Sequence, residues 1–437
     1  MGGLLSRVAA RIDGEGVVLL DGRACAALAL PTDPAEIENG SEDHLALTNA
    51  RAAGWQASRL STWTTFYGDK RPTIQLGLLP AMINPRLIGP KEDTRHPMVC
   101  ASQLDTVAAF RKWHERVGYA YRGTPALAGS VALQGLADAG KNKNGGRREP
   151  TWRPKYALPD GAYELPYKLE QWKQPPGKGH RFGHGFDVAL MYLAAAGVTP
   201  LTPWDLRPTG RVAYRPDLSG WWLVEIAPWQ YDSGLPDPAG YTRGETGPVW
   251  RSGPTLNLLD QLVEEGIHGG YTVLDSVTAE VISAANGRPL KPWSDTLRDA
   301  IATCVANMEK FSGRDDERAV YWALKMAYKE GLGYLANPDA RAQRPDWYAA
   351  VIAQARANLW RKMKKIADTT KRTPMFIETD CVWYSAETSD AEEAWQEIGA
   401  PAGYKLGKDK PGVFDPEQTR QLVKKARKVS SAKARKA

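Results

Sequence analysis

Apolar positions along the chain switch between two periods. Val17-Val18-Leu19-Leu20 and Thr73–Leu79 are short apolar runs beside turn residues and predict strands. Asp105–Val117 carries apolar residues at helical spacing, with Asp105 near its start, and predicts a helix. Residues 1–135 therefore read as a mixed α/β lobe. Residues 136–155 are polar, basic and rich in Gly, the composition of a linker or exposed loop. Residues 156–235 alternate short strands with Pro/Gly turns, and Gly220–Ile226 is the strongest strand signal among them. Helical patterns then dominate: 255–266, closed by Gly266, then 294–311, 315–335 and 346–365. Thr373–Tyr384 predicts a hairpin with two apolar arms around an acidic centre. Ala391–Ile398 predicts a short helix, followed by loop and tail. No internal repeat of fixed period is present.

Composition narrows the class. At 437 residues the chain is long enough for two to four lobes, and 43% hydrophobic with 24% charged residues is ordinary for a globular protein. Bulk disorder, collagen-like and coiled-coil architectures are excluded. There are 57 Lys plus Arg against 50 Asp plus Glu. From Arg420 onward eight residues are basic and none acidic, so the remainder carries 49 against 50 and the excess belongs to the end of the chain. That end reads either as an arm that attracts nucleic acid or as a solvated extension. The four cysteines (Cys25, Cys100, Cys304, Cys381) lack metal-ligand spacing and predict free thiols in a reducing cytoplasm. No apolar run approaches a membrane span, and no secretory leader opens the sequence.

Three segments carry candidate chemistry. Phe186–Leu193 predicts a strand running into a helix, with Asp187 at the strand end. Lys325–Tyr334 lies on a helix rich in Lys and aromatics, with Arg314 and Arg318 upstream. Phe376–Trp383 places Glu378 and Asp380 within the hairpin. Carboxylates on adjacent strands can hold two divalent ions about 3.5–4 Å apart, and a cationic helix can neutralise a triphosphate; together these suit nucleotidyl transfer. Each segment also has an ordinary reading. Asp187 caps the following helix, Glu378 and Asp380 are turn acids, and Lys325 and Lys329 are a solvated helix face. His180-Arg-Phe-Gly-His184-Gly reads as a loop, either touching template phosphate or simply at the surface. The sixteen tryptophans suit stacking on bases, but most fit packing better.

In order, the segments resemble motifs A, B and C of family B DNA polymerases, above all the protein-primed phage and linear-plasmid branch. Asp187 and Tyr192 keep the motif A offset of five, Lys325 and Gly333 the motif B offset of eight, and Phe376-Ile-Glu378-Thr379-Asp380-Cys381 parallels motif C. Gly403–Lys410 resembles the Leu-Gly-x-x-Lys stretch that follows. The resemblance covers about 156–412. It implies an α+β right-hand fold: an N-terminal lobe (1–135, degenerate exonuclease-like or unrelated), a basic linker (136–155), palm (156–254 and 346–412), fingers-like helices (255–345), a basic tail (413–437), and little or no thumb.

By that resemblance Asp187, Glu378 and Asp380 are catalytic, and Asp187, Asp380 and the Val188 carbonyl bind Mg²⁺ or Mn²⁺. Tyr192, Lys325, Lys329, Arg314 and Arg318 bind dNTP. Lys408 and Lys410 contact the primer strand, and Lys424, Lys425, Arg427 and Lys428 hold DNA. The partners implied are template, primer, dNTP and, at branch level, a priming protein, in the cytoplasm of a bacterial or phage-infected cell. Departures are clear: Lys329, Glu330 and Leu332 replace the motif B Asn, Ser and Tyr, Leu193 replaces a proline, and only 57 residues follow Asp380. Those changes favour the alternative, a catalytically inactive, polymerase-derived DNA-binding or structural protein. A metal-dependent nuclease is a third reading.

Overall fold

The computed structural model describes residues 1–11, 15–20, 22–28, 30, 44–57, 63–67, 73–78, 98, 100, 103–121, 123–139, 148–155, 158–167, 173–230, 233–240, 247–279, 287–310, 314–407, 410 and 412–422. Lys408 and the tail lysines and arginines beyond Leu422 lie outside them.

The fold is mixed α/β, with three sheets. The N-terminal part contains α1 (Gly2–Ala9), β1 (Glu15–Leu20), α2 (Gly22–Ala27), α3 (Leu45–Ala52), β2 (Trp63–Phe66), β3 (Thr73–Leu78), α4 (Gln103–Val117) and α5 (Pro125–Leu136). Its sheet has the order β1-β3-β2, with β1 and β3 parallel. Leu5, Leu47, Trp55, Phe66, Ile74 and Leu76 form a separate buried core around that sheet, whereas α4 and α5 give Phe110, Trp113, Ala128 and Leu133 to the main core. Thr124 caps α5 through its hydroxyl, and Pro125 opens the helix where no amide donor is needed.

The middle part contains β4 (Phe182–Val188), α6 (Met191–Val198), β5 (Arg207–Pro208), β6 (Gly220–Ile226), β7 (Val249–Ser252), α7 (Gly253–Glu264) and β8 (Tyr271–Thr278). Strands β5-β8-β6-β7 form an antiparallel sheet around Trp221, Trp222 and Val224. Then come α8 (Lys291–Lys310), α9 (Asp315–Gly333), α10 (Pro345–Thr370), β9 (Phe376–Glu378), β10 (Cys381–Ala386), α11 (Ala391–Ile398) and β11 (Phe414–Gln421). The third sheet, β11-β4-β10-β9, is antiparallel throughout.

One face of that sheet is the floor of the main core. Phe186 packs on Trp395 at 4.5 Å between centroids, and Trp395 packs on Phe414 at 4.7 Å. The opposite face is relieved by two glycines. A Cβ on Gly185 would fall 2.9 Å from Trp383 and one on Gly183 2.9 Å from Met375, so both positions leave room for the large side chains beside them. Trp383 lies there under Arg420, 4.3 Å from ring centroid to guanidinium, and stacks on Phe376.

Two expectations change. The 180–185 stretch is no loop from residue 182 on: it is β4, where His184 is fully buried, one ring nitrogen on the Thr388 carbonyl and the other on the Thr419 hydroxyl. The loop-and-tail reading after residue 398 misses β11, which places Arg420 in a sheet. β11 has one buried apolar residue, a proline and a bulge between Pro416 and Gln418, and it is an edge strand, where these are tolerated.

Helix α9 is gripped from the N-terminal side. A Cβ on Gly129 of α5 would fall 2.0 Å from the Ala327 carbonyl oxygen, and one on Gly331 would fall 2.8 Å from the Gly129 carbonyl carbon. Backbone thus meets backbone at this crossing. Lys112 and Arg116 of α4 add ion pairs to the N-terminal turn of α9. Arg116 reaches Glu317 at 2.8 and 2.9 Å, Lys112 reaches it at 2.8 Å, and Lys112 also pairs with Asp316.

Candidate active site

Strand register brings two remote acids to one place. Asp187, the penultimate residue of β4, lies opposite Cys381 of β10 and Asp415 of β11, and Cys381 lies opposite Glu378 of β9. Residues directly opposite in an antiparallel ladder share a face. Asp380 precedes Cys381 in a two-residue turn between β9 and β10, and its carbonyl accepts from the Val188 amide at 3.1 Å. The Thr379 hydroxyl lies 2.8 Å from the Asp380 carboxylate and 2.7 Å from the Glu378 carbonyl.

The backbone beside both acids is strained. Thr379 has φ +60° and Leu190 has φ +53°, left-handed values that branched or bulky side chains resist. Such residues cost about 1–3 kcal/mol each, so the surrounding contacts must hold them. The Thr379 amide donates to Tyr167, and Ala189 is clamped by hydrogen bonds to Val413 and Gly412. The sharp turn at Leu190 ends β4 just after Asp187 and starts α6.

The convergence has electrostatic consequences. The Asp187 carboxyl is raised to about 7, first by burial and next by Asp380; Lys329 opposes the rise, Glu417 adds to it, and Lys325 opposes it. The Tyr192 phenol, on the first turn of α6, is raised by burial and then by Asp380, Tyr348 and Asp187. Burial followed by Glu417 raises the Cys381 thiol, and Glu417 also hydrogen-bonds to it. Glu417 is a site acid that sequence reasoning missed: it lies at the β11 bulge, in a strand whose sequence carries no apolar pattern to mark it.

Other predicted residues are less central. Glu378 is exposed on β9. Lys325 donates to the Tyr321 hydroxyl at 3.0 Å, while Lys329 and Arg318 are exposed on the same helix. Arg314 occupies the N-cap position of α9 without a side-chain capping bond and lies 3.5 Å from Asp316. Leu332 is buried, and Gly333 has open space around it. Lys410 is exposed beyond Gly407.

His180 bonds Ser385 at 2.7 Å and Arg372 at 2.7 Å. Arginine can only donate, so that ring nitrogen accepts and the other carries the proton toward Ser385. This leaves Ser385 without a base and excludes a Ser–His nucleophile here.

The donor set near Asp187 suits a hard divalent cation, which takes carboxylate and carbonyl oxygens. A cation between the two acids would relieve the crowding that raises Asp187. Among the described residues no group of three His, Cys, Asp or Glu side chains is arranged to hold one ion. A cavity of about 240 Å³, lined by Leu201, Tyr214, Trp221 and Trp347, lies apart from these acids.

No family model matches the chain, and no curated protein matches it. Solved structures of phi29 DNA polymerase are similar in part. Its orthorhombic crystal form shows 14% identity and a TM-score of 0.35, over 60% of this chain and 47% of that one. The complex with primer-template DNA shows 12% identity and a TM-score of 0.40, over 83% and 68%. The complex with single-stranded DNA shows 12% identity and a TM-score of 0.39, over 82% and 67%. The chain thus spans about half the length of the first of these.

Proposed function

We propose that this protein is a template-directed DNA polymerase-like nucleotidyltransferase, with Asp187 and Asp380 as its metal-binding acids. One observation carries the reading: acids 193 residues apart in sequence meet, one near the end of β4 and one in the turn that leads into its neighbour β10, and Lys325 and Lys329 lie close enough to act on one of them. Mg²⁺ or Mn²⁺ held by Asp187, Asp380 and the Val188 carbonyl supplies Lewis-acid stabilisation of phosphate charge. Lys325 and Lys329 bind and neutralise the triphosphate of a dNTP, with Arg318 and Arg314 further along α9. Tyr192 lies under the incoming sugar, and Glu378 adds negative charge at the rim. Lys408 and Lys410 contact the primer strand, and the basic C-terminal segment, Lys424 to Lys428 included, holds DNA. The sequence resemblance extends the proposal to a palm-and-fingers layout of family B type, to a mobile-element or phage origin in a bacterial cytoplasm, and to priming by a protein hydroxyl. Among the described residues no helix is long and apolar enough to cross a membrane.

A second reading has its own support. Leu332 is buried where the resemblance expects a phenol, and Lys329 and Glu330 replace neutral polar residues. These changes suit a catalytically silent DNA-binding derivative. Primer extension with Mg²⁺ or Mn²⁺ separates the two. Asp380→Asn is expected to lower incorporation on the order of 10²-fold or more. Salt-sensitive DNA binding with no incorporation by the wild-type chain would establish the silent derivative.

A further inference from the structure

Strand register shows what shares a face with Asp187. On β4 the residues two and four positions back are Gly185 and Gly183, and side chains two apart in a strand point the same way. Trp383 of β10 and Gln418 of β11 lie opposite Gly185, and Arg420 of β11 lies opposite Gly183. Phe376 of β9 lies opposite Trp383. All of these therefore stand on the face of Asp187. The alternate residues take the other face, where the Thr419 hydroxyl meets His184 at 3.0 Å. Arg420 is thus on the acid-bearing side of the sheet, about 13 Å along the strands from Asp187.

The local contacts hold its guanidinium in place. Strand β4 separates β11 from β10, and its two glycines leave the Arg420 side chain free to cross it and reach Trp383, 4.3 Å from ring centroid to guanidinium carbon. Trp383 is 2% exposed and stacks on Phe376, with centroids 5.2 Å apart and the rings inclined by 23°. Arg420 is exposed and donates to the Gln418 amide oxygen at 2.6 Å; among the described residues no carboxylate pairs with it. A guanidinium clamped by its face keeps its edge donors for an acceptor, in the fork that fits two oxygens of one phosphate. Covering Trp383 does not require this, because a methionine or leucine would shield the ring without placing an unpaired charge on the sheet.

We propose that Arg420, stacked on Trp383, holds one phosphate of the primer strand about four nucleotides back from its 3′ end. The inference rests on the nucleotidyl-transfer reading, which brings a primer terminus to Asp187 and Asp380, and adds the path by which the strand leaves them. A strand in duplex geometry advances 3.4 Å per nucleotide, so about 13 Å of sheet spans about four. A phosphate contact fixes register and carries no sequence information, so Arg420 acts on every primer alike.

The test uses the full chain and fluorescence anisotropy with a labelled primer-template, with Mg²⁺ present and dNTP omitted so that nothing is incorporated. In a series of primers, one phosphate at a time is made a neutral methylphosphonate, at successive positions from the 3′ end. The wild type is expected to lose about tenfold in affinity at one position near the fourth. Arg420→Met, which keeps an apolar cover on Trp383, should bind the unmodified primer-template about tenfold more weakly, with a salt slope shallower by about 1, and lose nothing more at that position. Arg420→Lys should restore the slope but only part of the affinity, because it lacks the fork. The urea midpoint of Arg420→Met should match the wild type, which assigns its loss to binding. An Arg420→Met chain with wild-type affinity and slope, or one still weakened tenfold by the same neutral linkage, would leave Arg420 as a cover for Trp383 and overturn this inference alone. Failure of the wild type to bind any primer-template would instead overturn the nucleotidyl-transfer reading on which it rests.

Discussion

At the scale of single residues, the protonation of Asp187 is the most accessible observable. With its carboxyl at about 7, the side chain is roughly half protonated at neutral pH. A divalent ion bound there favours the ionised form, so binding must release protons. Isothermal titration calorimetry in buffers of different ionisation enthalpy should detect about half a proton released per Mg²⁺ at pH 7. The release should vanish at pH 9, where the carboxyl is already ionised, and in Asp187→Asn. Proton-free binding at pH 7 would place the ion elsewhere. Much of this residue-level picture was legible in the sequence. A carboxylate ending an apolar strand and an acidic turn between apolar arms are local patterns, and both are found where the periodicity put them. The interplay with Glu417 was not legible, because only the β11 bulge brings that acid near Cys381 and Asp187.

At the scale of elements, the helices from 253 to 370 follow their apolar periodicity to within a few residues at each end. Helix α5 was missed because Pro125–Leu136 is small and apolar on most sides, leaving no stripe to read. The buried Glu164, which accepts from Ser252, Thr255 and Arg356, was also invisible. Ion pairs between distant segments leave no local period. The pair network on α9 gives a testable consequence. Burial alone would raise the Glu317 carboxyl, but hydrogen bonds from Arg116 and then Lys112 outweigh it and lower the carboxyl to about 2. A depressed folded value contributes stability that is complete above the unfolded value near 4.5 and is lost as pH falls toward 2. Glu317→Gln should therefore destabilise the protein by about 3 kcal/mol at pH 7. Urea denaturation of both forms should show that difference narrowing steadily below pH 4.5. A difference independent of pH would assign the loss to packing.

At the scale of the whole molecule, charge is unevenly divided. Seven basic residues and no acid follow Leu422, beyond the sheet that receives Arg420. If they hold DNA as proposed, each cation releases counterions. Truncation after Leu422 should make the slope of log affinity against log salt for single-stranded DNA shallower by up to about 5. Fluorescence anisotropy with a labelled oligonucleotide measures it, and an unchanged slope would move the DNA contacts onto the body.

The crossing of Gly129 over Gly331 carries a broader architectural meaning. Two main chains in direct contact leave no side-chain cushion between them, so neither helix can slide or tilt without carrying the other. The helix that carries Lys325 and Lys329 is thus geared to one whose contact residue lies 202 positions earlier in the chain (Gly129 against Gly331). Any displacement of Lys325 and Lys329 relative to the acids would carry Pro125–Leu136 with it, so α5 works as a part of the main core and not as an extension that can be trimmed away.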